Sequence, residues 1–309
     1  MPILGDVSTR IVGFFLAVLA TANSFAAEAP TAAKAIFAMN ADGTGWRKFF
    51  QLPQLNELGP PAVSRDGQRI AFEGSAGFQK NSVFQNDSAR ASHVFVVNTT
   101  RTEMRILGLG ALPSWGPNDQ QLACSFYAKG IGLLNVDSQE LTWIDSLGWG
   151  VQWSPDGKDV AYVNGPELWF YEVATKNKRQ VLKSQPDYVQ LLPNFAWSPD
   201  GKQIAIVGRK DHLVRDILLV SLADGKPQVT KRITGRTPGD KLAWHPTTPR
   251  LVFSEAHRET RRRQLWEVNP TTDAPPQLLA GQETLSDVHS PCWSPDGKTL
   301  FCVADVKSD

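Results

Sequence analysis

FAWSPDGKQIAIV, residues 195–207, frames the whole chain, because its cadence returns as VQWSPDGKDVAYV at 151–163 and PCWSPDGKTLFCV at 291–303. Aligned on the tryptophan, weaker copies extend the series to Val63, Trp115, Trp153, Trp197, Trp244 and Trp293, at intervals of 38 to 52 residues. Repeats of this length mark stacked supersecondary units, each too small to bury its apolar face alone. Inside the phrase, Pro presets φ for a tight turn, Asp can bond its own backbone, and Gly takes the left-handed position without steric cost. The phrase therefore reads as a hairpin turn. Asp66, Asp156, Asp200 and Asp296 are turn carboxylates rather than catalysts, and Asn118 and Thr247 stand at the same place in two other copies.

Seven and nine residues after each anchor the chain is apolar, from Ile70 and Phe72 through to Leu300 and Cys302. These alternate positions predict the inward face of a strand. A further run follows in five units: HVFVVN (93–98), GIGLLNV (130–136), ELWFYEV (167–173), DILLVSL (216–222) and RQLWEV (263–268), each trailed by a more polar segment. Four strands per unit is the number a propeller blade requires. The last unit has only 16 residues after Trp293, whereas AIFAMN and WRKFF, within 35–50, form an unanchored pair around Asp42 and Gly43. The expectation is an all-β, six-bladed β-propeller with four antiparallel strands per blade. Two N-terminal strands close the last blade, so that no edge stays open.

WSPDGK followed by an apolar run, with MNADGTGWRK (39–48) as a strand-turn-strand, resembles the WD40-like repeats of the TolB-type six-bladed propeller family over residues 35–305. The resemblance implies a docking platform in the cell envelope, including for a peptidoglycan-associated lipoprotein. Similar propellers also precede serine peptidase domains and occur in certain lyases, so the fold does not choose the function. The family leads one to expect an additional α/β domain ahead of the propeller. Here the first predicted strand begins about ten residues after an apolar leader, with residues 28–309 assigned to the propeller.

That leader, residues 1–27, holds IVGFFLAVLATA (11–22) and then Ser24-Phe25-Ala26, a small-x-small cleavage pattern, and reads as a secretory signal peptide. The expected location is periplasmic or secreted, as a monomer without a membrane span once the signal is removed. A formal net charge of +1 offers no field for nucleic acid or a membrane surface. Of three cysteines, Cys124 and Cys302 occupy slots filled elsewhere by Phe, Tyr and Ile, and Cys292 a small-residue slot, so all read as buried hydrophobes. A bridge between Cys292 and Cys302 in one hairpin stays open.

No catalytic motif is present. EGSAG (73–77) departs from a nucleophile elbow at Glu73, and its hairpin context lacks the strand-to-helix turn. No cofactor or metal site is expected. The convergence of interest lies in the loops after the second strand of the fourth and fifth units. There GRKDHLVR (208–215) and EAHRETRRR (255–263) bring together Arg209, Lys210, His212, Arg215, His257, Arg258, Arg261, Arg262 and Arg263. Arg forks recognise carboxylates bidentately, which points to an anionic or protein partner; the competing reading is a solvated rim paired with Asp211, Glu255 and Glu259. Trp149 and Tyr188 fall on the same face, either as interface anchors or as covers of the channel mouth. The expected function is a non-enzymatic scaffold binding a protein or peptide through that face. The alternative is a channel-mouth lyase or hydrolase acting on an acidic carbohydrate, with His212 and His257 as base or metal ligands.

Overall fold

The repeated turns close as their chemistry demands. In a computed structural model that describes residues 34–55, 57–75, 92–211, 214–257, 259–260 and 262–306, each Ser hydroxyl donates to the Asp two residues on. The distances are 2.6 Å for Ser64 and Asp66, 2.7 Å for Ser154 and Asp156, 2.6 Å for Ser198 and Asp200, and 2.6 Å for Ser294 and Asp296. The Asp carboxylate accepts a backbone N–H two residues further, and Gly67, Gly157, Gly201 and Gly297 all take φ near +70°. The fifth unit replaces Ser with His245, whose Nδ1 accepts the Thr247 and Thr248 N–H groups while Nε2 reaches the Gly297 carbonyl of the next turn. Losing one such carboxylate removes two hydrogen bonds worth about 1 kcal/mol each. Chemical denaturation of Asp200→Ala should thus show a loss of about 1–2 kcal/mol, and Asp200→Asn, which keeps an acceptor, clearly less.

Every such turn joins the two inner strands of a blade. The first sheet holds Glu57–Leu58 and Ala62–Val63 against Arg69–Ser75, then His93–Asn98 and Met104–Leu109. The second runs Ala111–Trp115, Gln121–Phe126, Gly130–Asn135, Leu141–Asp145, and the third Trp149–Trp153, Asp159–Asn164, Glu167–Glu172, Lys178–Leu182. In the fourth, Gln190–Leu191 and Ala196–Trp197 pair with Gln203–Arg209, followed by Arg215–Ser221 and Gln228–Arg236. The fifth runs Pro238–Trp244, Leu251–Ala256, Arg263–Val268, Gln277–Leu278. The sixth joins both ends of the described chain, in the order Leu285–Trp293, Thr299–Val306, Lys34–Asn40, Arg47–Phe50.

The sequence pattern led us to expect one apolar face per second strand, but both faces are buried. Val160 and Tyr162 pack toward the second blade with Ile131 and Leu133, while Ala161 and Val163 pack toward the fourth with Ile204 and Ile206. The same division recurs around the molecule. Each of six apolar clusters belongs to two neighbouring blades, including one that unites Ile36 and Val303 of the sixth with Ile70 and Phe72 of the first. A large residue toward one neighbour and a small one, Ala71, Ala123, Ala161 or Ala205, toward the other lets successive sheets nest at propeller spacing.

The turn face is tied across blades. Asp119, at φ +57°, accepts the N–H groups of Arg65 and Asp66 in the first blade at 2.8 and 2.9 Å. Arg65 then donates to the carbonyls of Pro155 and Ser154 in the third, at 2.6 and 2.9 Å. All three cysteines are free thiols. Cys292 stands opposite Phe301 and Cys302 opposite Phe37, so the ladder register points the two side chains to different partners.

Candidate functional site

At the opposite face every innermost strand breaks its ladder at a corresponding place. The register shifts across Pro60, Leu112, Gly150, Asn194, Lys241 and Ser290, each three residues before its anchor. Four of these, Leu112, Gly150, Asn194 and Ser290, sit at φ between +53° and +67°. Bulges re-aim side chains and leave ladder groups unpaired. Five of the six positions, all but Gly150, line one cavity of about 590 Å³ at the mouth of the central channel, and every blade contributes to it.

Two of the freed N–H groups find caps on the neighbouring blade. Glu73, at the end of the second strand of the first blade, accepts the Leu112 N–H at 2.5 Å, and Ser125 of the second blade accepts that of Gly150 at 2.9 Å. Gly59 makes room for the Glu73 side chain, since a Cβ there would lie 2.0 Å from its Cγ. Burial pushes the Glu73 carboxyl up to about 7, against the pull of the Leu112 N–H. Burial likewise lowers Lys241, which also lines the cavity.

His289 and Asn194 are each 6% exposed and line the same cavity. His289 Nδ1 lies 2.9 Å from the Ser290 hydroxyl; its Nε2, like Asn194 Oδ1, has no hydrogen-bond partner among the described residues. Burial, followed by the charge of Arg263, drives the His289 imidazole well below its ordinary value, so the ring is neutral at pH 7. Arg263 is committed to Asp287, donating from its backbone N–H, Nε and Nη2. Against the upward pull of burial, those bonds hold Asp287 well below the usual carboxylate range. Lys34 pairs with Glu57 at 2.6 Å, and Arg236 with Glu255.

The residues singled out from sequence divide into three groups. Trp149, Arg215 and Arg263 reach the cavity, with Arg215 donating to the Pro238 carbonyl at 3.2 Å. His257 and Arg262 lie on the exposed loop of the fifth blade, where His257 Nδ1 caps the N–H groups of Glu259 and Thr260 at 3.4 and 3.5 Å. Arg209, Lys210 and Tyr188 turn into the fourth blade instead. Tyr188 is 4% exposed and donates to Asp216 at 2.7 Å, and the Lys210 ammonium meets the same carboxylate at 2.8 Å. Tyr188 is therefore a buried strut rather than a surface anchor, because Gly208 leaves space for its ring against the strand. Burial and the Asp216 hydrogen bond raise its phenol to about 12. His212, Arg258 and Arg261 lie outside the described residues, as do residues 1–27, which the sequence leads one to expect as a signal segment, and most of the polar loop 74–92.

Glu73, Lys241, Asn194 and His289 were not singled out from sequence. Two carried a signal in the repeat: ten residues after the anchor the other blades have Ser125, Val163, Val207, Ser254 and Val303 where the first has Glu73. Lys241 is likewise the one charged residue at the bulge position. Among the described residues no three His, Cys, Asp or Glu side chains converge as a metal would need, and no helix is long and apolar enough to cross a membrane.

No known family profile matches the chain, and no curated protein matches it either. Solved structures do. A TolB-assigned protein from Agrobacterium tumefaciens superposes with a TM-score of 0.67 at 15% identity, covering 89% of this chain and 99% of the other. TolB from Acinetobacter baumannii gives 0.57 at 12% identity, over 99% of this chain and 73% of that one. The propeller domain of the Trilobed protease from Pyrococcus furiosus gives 0.50 at 11% identity, over 80% and 77%. At these identities the likeness is one of architecture: the chain has the six-bladed propeller fold seen in TolB structures.

Proposed function

We propose that the protein is an exported, non-enzymatic scaffold of the cell envelope that binds a protein or peptide partner at the bulged face of the propeller. The observation that carries this reading is the convergence of all six inner strands on one open cavity, with Trp149, Arg215 and Arg263 at its wall and Arg262 on the adjoining loop. Rigid scaffolds present binding groups on such irregular segments. The resemblance to TolB-type docking propellers supports the same reading. The histidines that a channel-mouth enzyme would have used do not favour that alternative: the described one, His257, caps its own turn.

Cross-linking the protein to its captured partner tests the reading. Links should cluster on residues around Trp149, Arg215 and Arg262, and reversing charge in Arg215→Glu with Arg262→Glu should weaken capture about tenfold or more at low salt, with a smaller effect at high salt. Links confined to the Ser-Pro-Asp-Gly turn face, or capture untouched by the double variant, would overturn it.

A further inference from the structure

Three features of the channel mouth go beyond docking. His289 Nε2 and Asn194 Oδ1 are buried polar atoms that lack partners among the described residues, and the side chains that carry them line the same 590 Å³ cavity. Buried polar atoms of this kind are rare unless something satisfies them. Lys241 shares the cavity and has no ion-pair partner among the described side chains, whereas the neighbouring Lys34 and Arg263 are each matched by a carboxylate. The cavity thus carries an unmatched cation beside an unmatched acceptor and an imidazole nitrogen. Its volume lies in the range of small-ligand sites.

We propose that the channel mouth binds a small hydroxylated monocarboxylate, with the Lys241 ammonium holding the carboxylate and His289 and Asn194 hydrogen-bonding its hydroxyl groups. Each part of the ligand follows from a group on the wall. One unmatched ammonium calls for one negative charge. A phosphate, with nearly two, would bring excess charge toward the Glu73 carboxyl. A hydroxyl both donates and accepts, so it satisfies Asn194 Oδ1 and either tautomer of His289 without adding charge. The inference does not rest on the docking reading, since the ligand is small and the groups that hold it line the channel rather than the outer loops.

Calorimetric titration of the full chain with gluconate, acetate, glucose and inorganic phosphate decides it. Gluconate should bind, acetate and phosphate about tenfold more weakly or worse, and glucose not measurably, because loss of a charged or a buried hydrogen bond costs a factor of this order. Lys241→Met, which suits a desolvated site, should weaken gluconate about tenfold or more. Asn194→Gly, which accepts the φ of +66°, should weaken it several-fold while leaving the melting temperature of the unliganded protein close to the original. The proposal is overturned if gluconate gives no binding to the unaltered chain, if Lys241→Met binds it equally well, or if acetate or glucose matches it.

Discussion

A chain that begins at Gln51 is expected to lose its cooperative thermal transition. The removed strand Lys34–Asn40 lies inside its sheet, paired on one side with Arg47–Phe50 and on the other with Thr299–Val306. Its two faces serve different clusters: Ile36 and Ala38 pack against the first blade, and Ala35, Phe37 and Met39 against the fifth. Removing it would bare the backbone of Thr299–Val306 and the apolar surface of two blade interfaces together, an invitation to edge-to-edge association. The single substitution Ile36→Ala, at a side chain with no exposure, should alone cost about 2–5 kcal/mol. Differential scanning calorimetry checks both. A truncated chain melting in one transition near the temperature of the whole would show that the ring does not depend on this strand.

Glu73→Gln should make the protein more stable at alkaline pH and leave it little changed near pH 4. Because burial raises the folded-state carboxyl to about 7 from an ordinary 4.5, the native state favours the protonated form. Stability linked to this group is therefore full below about pH 4.5, falls as pH rises toward 7, and stays low above it. That difference corresponds to about 3 kcal/mol at pH 8. Glutamine keeps an oxygen for the Leu112 N–H and never ionises, so the variant escapes the loss. Urea titrations at pH 4.5 and pH 8 give the comparison: an equal stability difference at both would mean that Glu73 does not titrate within this window.

The blades were legible because their hairpin turns repeat: Ser, Asp and Gly recur at fixed offsets, and each acts locally, through bonds spanning two to five residues. The cavity was not, because its members come from all six blades and meet only when the ring has formed. Glu73 illustrates the difference. In its own segment it looks like the failed start of a nucleophile motif, and only the bulge at Leu112, 39 residues away, gives its carboxylate a purpose. Tyr188 shows the converse. An aromatic in a polar loop reads equally as an anchor or as a cover, and Asp216, 28 residues on, draws it inward.

The common bulge separates what must stay constant from what is open to change. At Pro60, Leu112, Asn194, Lys241 and Ser290 the ladder is already interrupted, so a side chain there can be exchanged without disturbing the hydrogen bonds that build its blade. Where the backbone is left-handed, glycine and asparagine enter most easily. One residue in each of five blades then behaves as a setting on a dial around the channel, and a new ligand preference is reachable by a handful of substitutions on an unaltered frame.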